Sequence, residues 1–186
     1  MPNSLLSEAL QEAYASCPVD TVILETLEFR HPSFIDDQGQ PTAIRVVKDW
    51  RDWTAKLEAS APLNPGQFVT FIGYAFRYDP PSMEDNRPPE VEITIDNVAA
   101  GILFYIDQAI STPDIIKMTY RPYLSTDVDA QGRLNQPHMN PPLHFDVTSI
   151  EANVMTITAR AKFGDFTNMK FPSEDYTATR FPGLFR

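Results

Sequence analysis

The sequence predicts a mainly β, α+β domain: an antiparallel β-sandwich or split barrel with a helix packed on it, an N-terminal helix and an extended C-terminal arm. Three observations predict it. Residues 90–95 alternate strictly, Val91, Ile93 and Ile95 against Glu90, Glu92 and Thr94, as a strand with one wet face does. The runs 143–150 and 154–163 alternate on either side of Glu151-Ala152-Asn153, which reads as a hairpin turn. The 186 residues include 17 Pro against 7 Gly, the reverse of ordinary usage, so the connections are stiff and extended. That length suits one domain. We place a single β-rich domain at residues 1–163 and the arm at 164–186.

The elements follow in order. Leu5, Leu6, Ala9, Leu10, Ala13 and Tyr14 fall at helical spacing, with Ser4 or Ser7 as N-cap and Pro18 as the stop. Thr21–Phe29 is β-branched and partly alternating; Ile23, Leu27 and Phe29 share a side on which Glu25 intrudes, and His31-Pro32 should break the run. Asp36-Asp37-Gln38-Gly39 signals a turn, and Thr42–Val47 is the return strand of a hairpin. Residues 59–66, with Pro62 and Pro65, form a loop. Phe68–Tyr78 is the most aromatic stretch and too β-prone for a helix; it ends at Pro80-Pro81. Residues 79–90 read as a polar loop. After the strand at 90–95, Asp96-Asn97 caps a helix whose buried stripe is Val98, Ile102, Ile106 and Ala109, joined by Leu103 and Ile110. Ile115–Arg121 is a strand with Ile116, Met118 and Tyr120 on one face. Residues 125–142 form a long loop, and the two alternating runs complete roughly seven strands, all expected to be free of proline. Beyond Phe163 the aromatics Phe166, Phe171, Tyr176, Phe181 and Phe185, with Met169 and Leu184, keep neither a helical nor a strand period, so they must lie on a surface, the chain's own or a neighbour's.

Composition narrows the function. No run of about 18 apolar residues exists, so no membrane helix is expected, and the N-terminus shows no secretory signal. One cysteine, Cys17, excludes an internal disulfide framework; at the end of a helix it reads as a small semi-buried residue. The net charge is −10, a poor match to nucleic acid. It is concentrated in residues 1–93, where 7 Lys/Arg against 15 Asp/Glu give −8; residues 94–186 have 8 against 10, giving −2. The aromatic strand 68–78 could stack bases, but its acidic surroundings favour core packing.

The chemical motifs are sparse. Asp127, Asp129, Gln131 and Gly132 follow the opening of a calcium loop, with Gln131 in place of the third acid and His138 where the bidentate Glu should stand. A polar loop with a glycine turn explains them better. His138, His144 and Asp146 could gather as metal ligands, but no metal-type spacing supports it; His31 stands at a strand end. No nucleophile elbow, phosphate loop or dinucleotide fingerprint occurs. The expectation is therefore a structural or interaction protein, without catalytic residues, cofactor or resident metal, rather than an enzyme.

Several phrases resemble a family. They are Leu6–Ser16, Glu90–Val98, Met118–Leu124, Arg160–Phe166, Phe171–Tyr176 and Arg180–Leu184. Together they resemble an uncharacterised family of minor tail and tail-tip proteins of long-tailed phages and prophages. The resemblance implies a tail-tube-like fold, a virion location and a ring of copies, a hexamer before a trimer. Such a ring would join the tail tube to the baseplate hub and line a channel that DNA passes without binding. It implies tube and hub proteins as partners and no membrane insertion. A trimeric hub component contacting fibres is the alternative, followed by an ion-binding or enzymatic module. Expected interface elements are the loops at 30–42 and 125–142 and the arm residues Phe166, Met169, Phe171, Tyr176, Phe181, Leu184 and Phe185.

Overall fold

The computed structural model describes residues 6–36, 38–79, 90–96, 100–153 and 156–164. Their order is α1 (Glu8–Ser16), β1 (Ile23–Ile35), β2 (Pro41–Val47), β3 (Trp53–Lys56), β4 (Phe68–Gly73), β5 (Phe76–Asp79), β6 (Glu90–Asp96), α2 (Ala100–Ile110), β7 (Lys117–Leu124), β8 (Leu143–Ala152) and β9 (Thr156–Phe163). The chain is mainly β, as expected. The strands form one open mixed sheet in the order β3-β4-β2-β1-β7-β8-β9-β6-β5. The expectation of a purely antiparallel sheet is corrected at one place: β2 and β4 run parallel, through Val46↔Ile72 and Val47↔Gly73. No helix among the described residues is long and apolar enough to cross a membrane.

The aromatic stretch 68–78 is two strands. Tyr74-Ala75 separates β4 from β5, which stand second and last in the sheet order. Seven strand spacings on a flat sheet would span about 34 Å. Three peptide steps from Gly73 to Phe76 reach at most about 11 Å. The sheet must therefore curl until its last strand returns toward its second. Side chains record the curl: Tyr78 of β5 stacks on Tyr120 of β7 at 4.8 Å between ring centroids, 10° from parallel. Burial, then the nearby Glu25 carboxylate, pushes the Tyr78 phenol up to about 12, and the Tyr120 phenol rises for the same two reasons.

Inside the curl lies the main core. Leu27 and Phe29 of β1, Val46 of β2, Met118 and Tyr120 of β7, Phe145 of β8, and Val91, Ile93 and Ile95 of β6 point inward. Ile102 and Ile106 of α2 close over Ile157 of β9. A second apolar cluster lies outside the curl. Leu24, Val47 and Tyr123 project from the opposite faces of β1, β2 and β7, and Trp53, Ala55, Val69 and Phe71 of the β3–β4 hairpin cover them with Leu57, Ala61 and Leu134. The centre of the sheet is thus buried on both sides. This is why β7 lacks the expected wet face: all but its first residue are buried. β3, which carries no clear period, is a strand because this outer layer needs it.

Prolines sit in three strands expected to lack them. β1 does not break at His31-Pro32; the register shifts between Arg30 and Ile35, a bulge where Pro32 interrupts no ladder pair. Pro41 opens β2. Pro122 pairs only toward β1, opposite Glu25, because the β8 ladder stops at Tyr120↔Leu143. α1 is capped by Ser7, whose hydroxyl accepts from Leu10 N at 3.2 Å. Cys17 ends it in the left-handed region (φ 44°) and is exposed, not semi-buried, because the cap turns it away from the sheet.

Gly73 is required by close approach. A Cβ there would lie 2.8 Å from the Arg51 carbonyl oxygen and 2.9 Å from that of Asp49, both backbone. Gly73→Ala is expected to lower unfolding free energy by about 1–3 kcal/mol, as overpacking does, read from urea midpoints at unchanged m-value.

Candidate functional site

The outer face of the sheet's centre holds the most concentrated chemistry. β1 presents Glu28 and Arg30, β2 presents Arg45, and β7 presents Thr119 and Arg121. The ladders align Glu28 with Arg45 on one side and with Thr119 on the other, so all five fall on one face. His144 of β8 stands opposite Thr119. The segment after β3 crosses above them and lowers Glu58 onto Arg121. Arg121 grips Glu58 with both arms, Nε to Oε2 at 2.7 Å and Nη2 to Oε1 at 2.8 Å. Arg45 donates from Nε to Glu28 Oε2 at 3.0 Å and from Nη2 to Asn64 Oδ1 at 2.8 Å. Arg30 donates to the Thr119 hydroxyl at 2.9 Å, and that hydroxyl lies 3.0 Å from His144 Nδ1.

Burial makes these contacts consequential. The side chains of Glu28 and Arg121 are fully buried. Desolvation alone would raise the Glu58 carboxyl, but the hydrogen bonds and charge of Arg121 outweigh it and hold it below its ordinary value. Arg121 itself is raised, because Glu58 and Glu28 overcome its desolvation. His144 is lowered, first by burial and then by the Arg30 and Arg121 charges. Satisfaction is incomplete. Arg30 Nε lies 3.0 Å from Glu28 Oε1 and Arg121 Nη1 lies 3.6 Å from Glu28 Oε2, yet none of Glu28 Oε1, Arg30 Nε and Arg121 Nη1 has a hydrogen-bond partner among the described residues.

This network opens at one end. Arg30 lines a cleft of about 530 Å³, together with His31, Pro32, Thr42, Leu63 and Lys117. The expected 30–42 loop thus forms one wall of the cleft, as the end of the β1–β2 hairpin. Nothing in the sequence marked this network. Glu28, Arg45, Glu58 and Arg121 are not among the candidate site residues the sequence suggests, since nothing local distinguishes a covered charged residue from a solvated one. The one available signal was Tyr123 and Thr119 flanking Arg121, an arrangement unlike a fully wet face.

The loop at 125–142 uses its polar groups internally. Asp129 accepts from Gln131 N and Arg133 N with Oδ1 and pairs with the Arg133 guanidinium through Oδ2 at 2.8 Å; Gly132 turns the chain at φ 75°. Asp127 accepts from Asn135 Nδ2 at 2.6 Å and faces His138 Nε2 at 3.1 Å. His138 Nδ1 is 2.9 Å from the Ser7 hydroxyl, and Ser7 N donates to the His138 carbonyl. This Ser-His-Asp chain fastens α1 to the loop; its hydroxyl is already engaged as the helix cap. The three histidines stand apart. His31 contacts Ser33 and the Asp114 carbonyl, His138 contacts Ser7 and Asp127, and His144 contacts Thr119, while Asp146 is held by Lys117 at 2.6 Å. Among the described residues no group of three His, Cys, Asp or Glu side chains could hold a metal ion.

Large apolar groups reach solvent at another place. Trp50 is 87% exposed on the turn between β2 and β3, and Ile72 of β4 is 48% exposed. The Trp50 backbone N–H donates to Asp49 Oδ1 at 2.7 Å, and the Arg51 guanidinium lies 5.9 Å from the Trp50 ring centroid and 3.8 Å from that of Trp53. The arm residues Phe166, Met169, Phe171, Tyr176, Phe181, Leu184 and Phe185 lie outside the described residues.

Compared with known proteins, residues 9–176 match one family model, described as a domain of unknown function (DUF1833). No curated protein matches the chain.

Two outcomes follow from the network. Arg121→Met strands Glu58, which loses both guanidinium bonds, and should cost about 3–5 kcal/mol in chemical denaturation, far more than a surface arginine. Folding lowers His144 below its ordinary value of 6.5, so as the pH falls through that value the unfolded chain takes up the proton first. Stability should therefore be full above that pH and fall as the pH drops through it, and His144→Gln should flatten this part of a Tm-against-pH curve.

Proposed function

We propose that this chain, which belongs to the DUF1833 family, is a structural protein of the distal tail of a long-tailed phage, assembling into a ring of copies between tail tube and hub. The family itself is of unknown function, so support for this reading comes from the sequence phrases quoted above and from one structural observation. That observation is the exposed Trp50 on the turn after β2, together with the exposed Ile72 of β4. A large aromatic ring left in water has the character of an interface anchor, since covering it removes much apolar area and fixes only two side-chain torsions. Gly73 packs under the same turn, so β4 and the Trp50 turn move as one surface. In a ring each copy would offer this surface to a different patch of the next, the heterologous contact that closes a cycle.

The curled sheet suits a tail-tube-like sandwich or split barrel, with its apolar side turned inward and its edges available to neighbours. The −10 charge suits a channel lining that repels phosphate, so that DNA slides without sticking. The 164–186 arm would lie across the adjacent copy.

Negative-stain electron microscopy and light scattering of the full chain test the proposal. Sixfold rings are expected; a monomer across the accessible concentration range overturns it, and threefold particles would move the protein to the hub. Trp50→Ser should shift the assembly toward monomer with an unchanged Tm. A chain ending at Phe163 should also lose the ring, and rings from it would remove the arm from the interface.

A further inference from the structure

The buried network is one carboxylate short. It contains Arg30, Arg45 and Arg121 against Glu28 and Glu58, with side chains between fully buried and 17% exposed. That leaves one positive charge in surroundings where an unpaired charge is expensive. His144 reaches the network only through the Thr119 hydroxyl, at 3.0 Å. Pairing inside the network is also imperfect: Arg30 Nε and the fully buried Arg121 Nη1 lack a hydrogen-bond acceptor among the described residues, and Glu28 Oε1, 3.0 Å from Arg30 Nε, lacks a donor.

A second observation is independent of this count. Arg30 and Lys117 are direct cross-strand partners in the β1–β7 ladder, on the same face. Like charges placed opposite each other destabilise a sheet pair. Both line the cleft of about 530 Å³ outside the network. Asp146 offsets Lys117 from the far side, opposite it in the β7–β8 ladder. The Asp114 carboxylate is also on the rim, and His31 is occupied by Ser33 and the Asp114 carbonyl. Proline at 32, 41, 62 and 113 makes the walls stiff, so the cleft is pre-shaped rather than assembled on binding.

We infer that this cleft is an anion site that takes a carboxylate-bearing segment of a second copy of this chain, one side-chain carboxylate bridging Arg30 and Lys117. Charge complementarity selects the occupant: the chain carries −10 overall and −8 in residues 1–93, so a neighbouring copy supplies acidic segments in excess. The identity of the occupant rests on the ring proposed above; the anion site does not. The contact would be distinct from the apolar Trp50 surface and would offset the extra positive charge only in the assembled state.

The test has two arms. A hexaglutamate peptide, titrated by fluorescence anisotropy into the full chain, reads the site alone. Binding is expected, weakening several-fold between about 0.05 and 0.5 M NaCl and about tenfold for Arg30→Gln. Because Arg30→Gln disturbs buried partners, Ile115→Glu serves as the second variant: residue 115 is 53% exposed on the rim, and its new charge should repel the peptide equally. Sedimentation velocity reads the second copy, and Ile115→Glu should weaken self-association at unchanged Tm. No peptide binding by the unaltered chain, or binding by both variants as tight as that of the unaltered chain, overturns the site. Peptide binding with self-association indifferent to Ile115→Glu overturns the occupant. If Trp50→Ser dissociates while Ile115→Glu still forms rings, the ring reading survives while this inference falls.

Discussion

Two residues, Tyr74 and Ala75, impose the shape of the molecule. They connect the second strand of the sheet order to the last, and no flat sheet allows that connection. Once the sheet curls to meet it, the apolar faces of β1, β7, β8, β9 and β6 enclose a single core, and α2 has one place to pack. The same turn fixes the outer layer. β4 runs parallel to β2 for two residue pairs and then departs, carrying β3 with it over the outside of the curl. The missing Cβ of Gly73 lets the 49–51 turn close against that junction.

Covering the outside of the sheet has a chemical consequence. Charged side chains that would be solvated on an ordinary one-sided sheet are roofed by Leu57, Glu58 and the loop that follows. They must then satisfy one another, and the bidentate grip of Arg121 on Glu58 is the best-formed part of that solution. Replacing such a group by apolar residues often leaves stability unchanged or improved, so stability alone is a weak reason for it. The pairing does fix register, because a one-residue slip of β7 would carry Arg121 into the apolar core.

Legibility in the sequence followed the number of buried faces. Strands with one wet face, β6, β8 and β9, were readable from alternation, and α2 from its stripe. The turn at Asp36–Gly39 and the capping by Ser7 were readable from residue chemistry. Where both faces are buried the alternation loses its meaning: β7 looked half wet, and β3 had no readable period. Phe68–Tyr78 looked like one strand because the break at Tyr74-Ala75 contains neither proline nor a turn pair, and what separates β4 from β5 is their distant partners. The ion network was illegible for a related reason. A buried Glu28 or Arg121 has the same letter and the same period as an exposed one, and only the covering loop tells them apart.

The central ladder also sets a timetable. The partners in β1 and β7 are between 87 and 101 positions apart, from Arg30↔Lys117 to Ile23↔Leu124. During synthesis at about 5–20 residues per second, β1 therefore waits several seconds before its partner leaves the ribosome. Leu27, Phe29 and the acid Glu28 are exposed to solvent throughout that interval, backed at most by the β2 hairpin. A chain with this topology folds late and nearly all at once, which makes the nascent β1–β2 hairpin the segment most open to capture by chaperones or by the same hairpin of a neighbouring nascent chain.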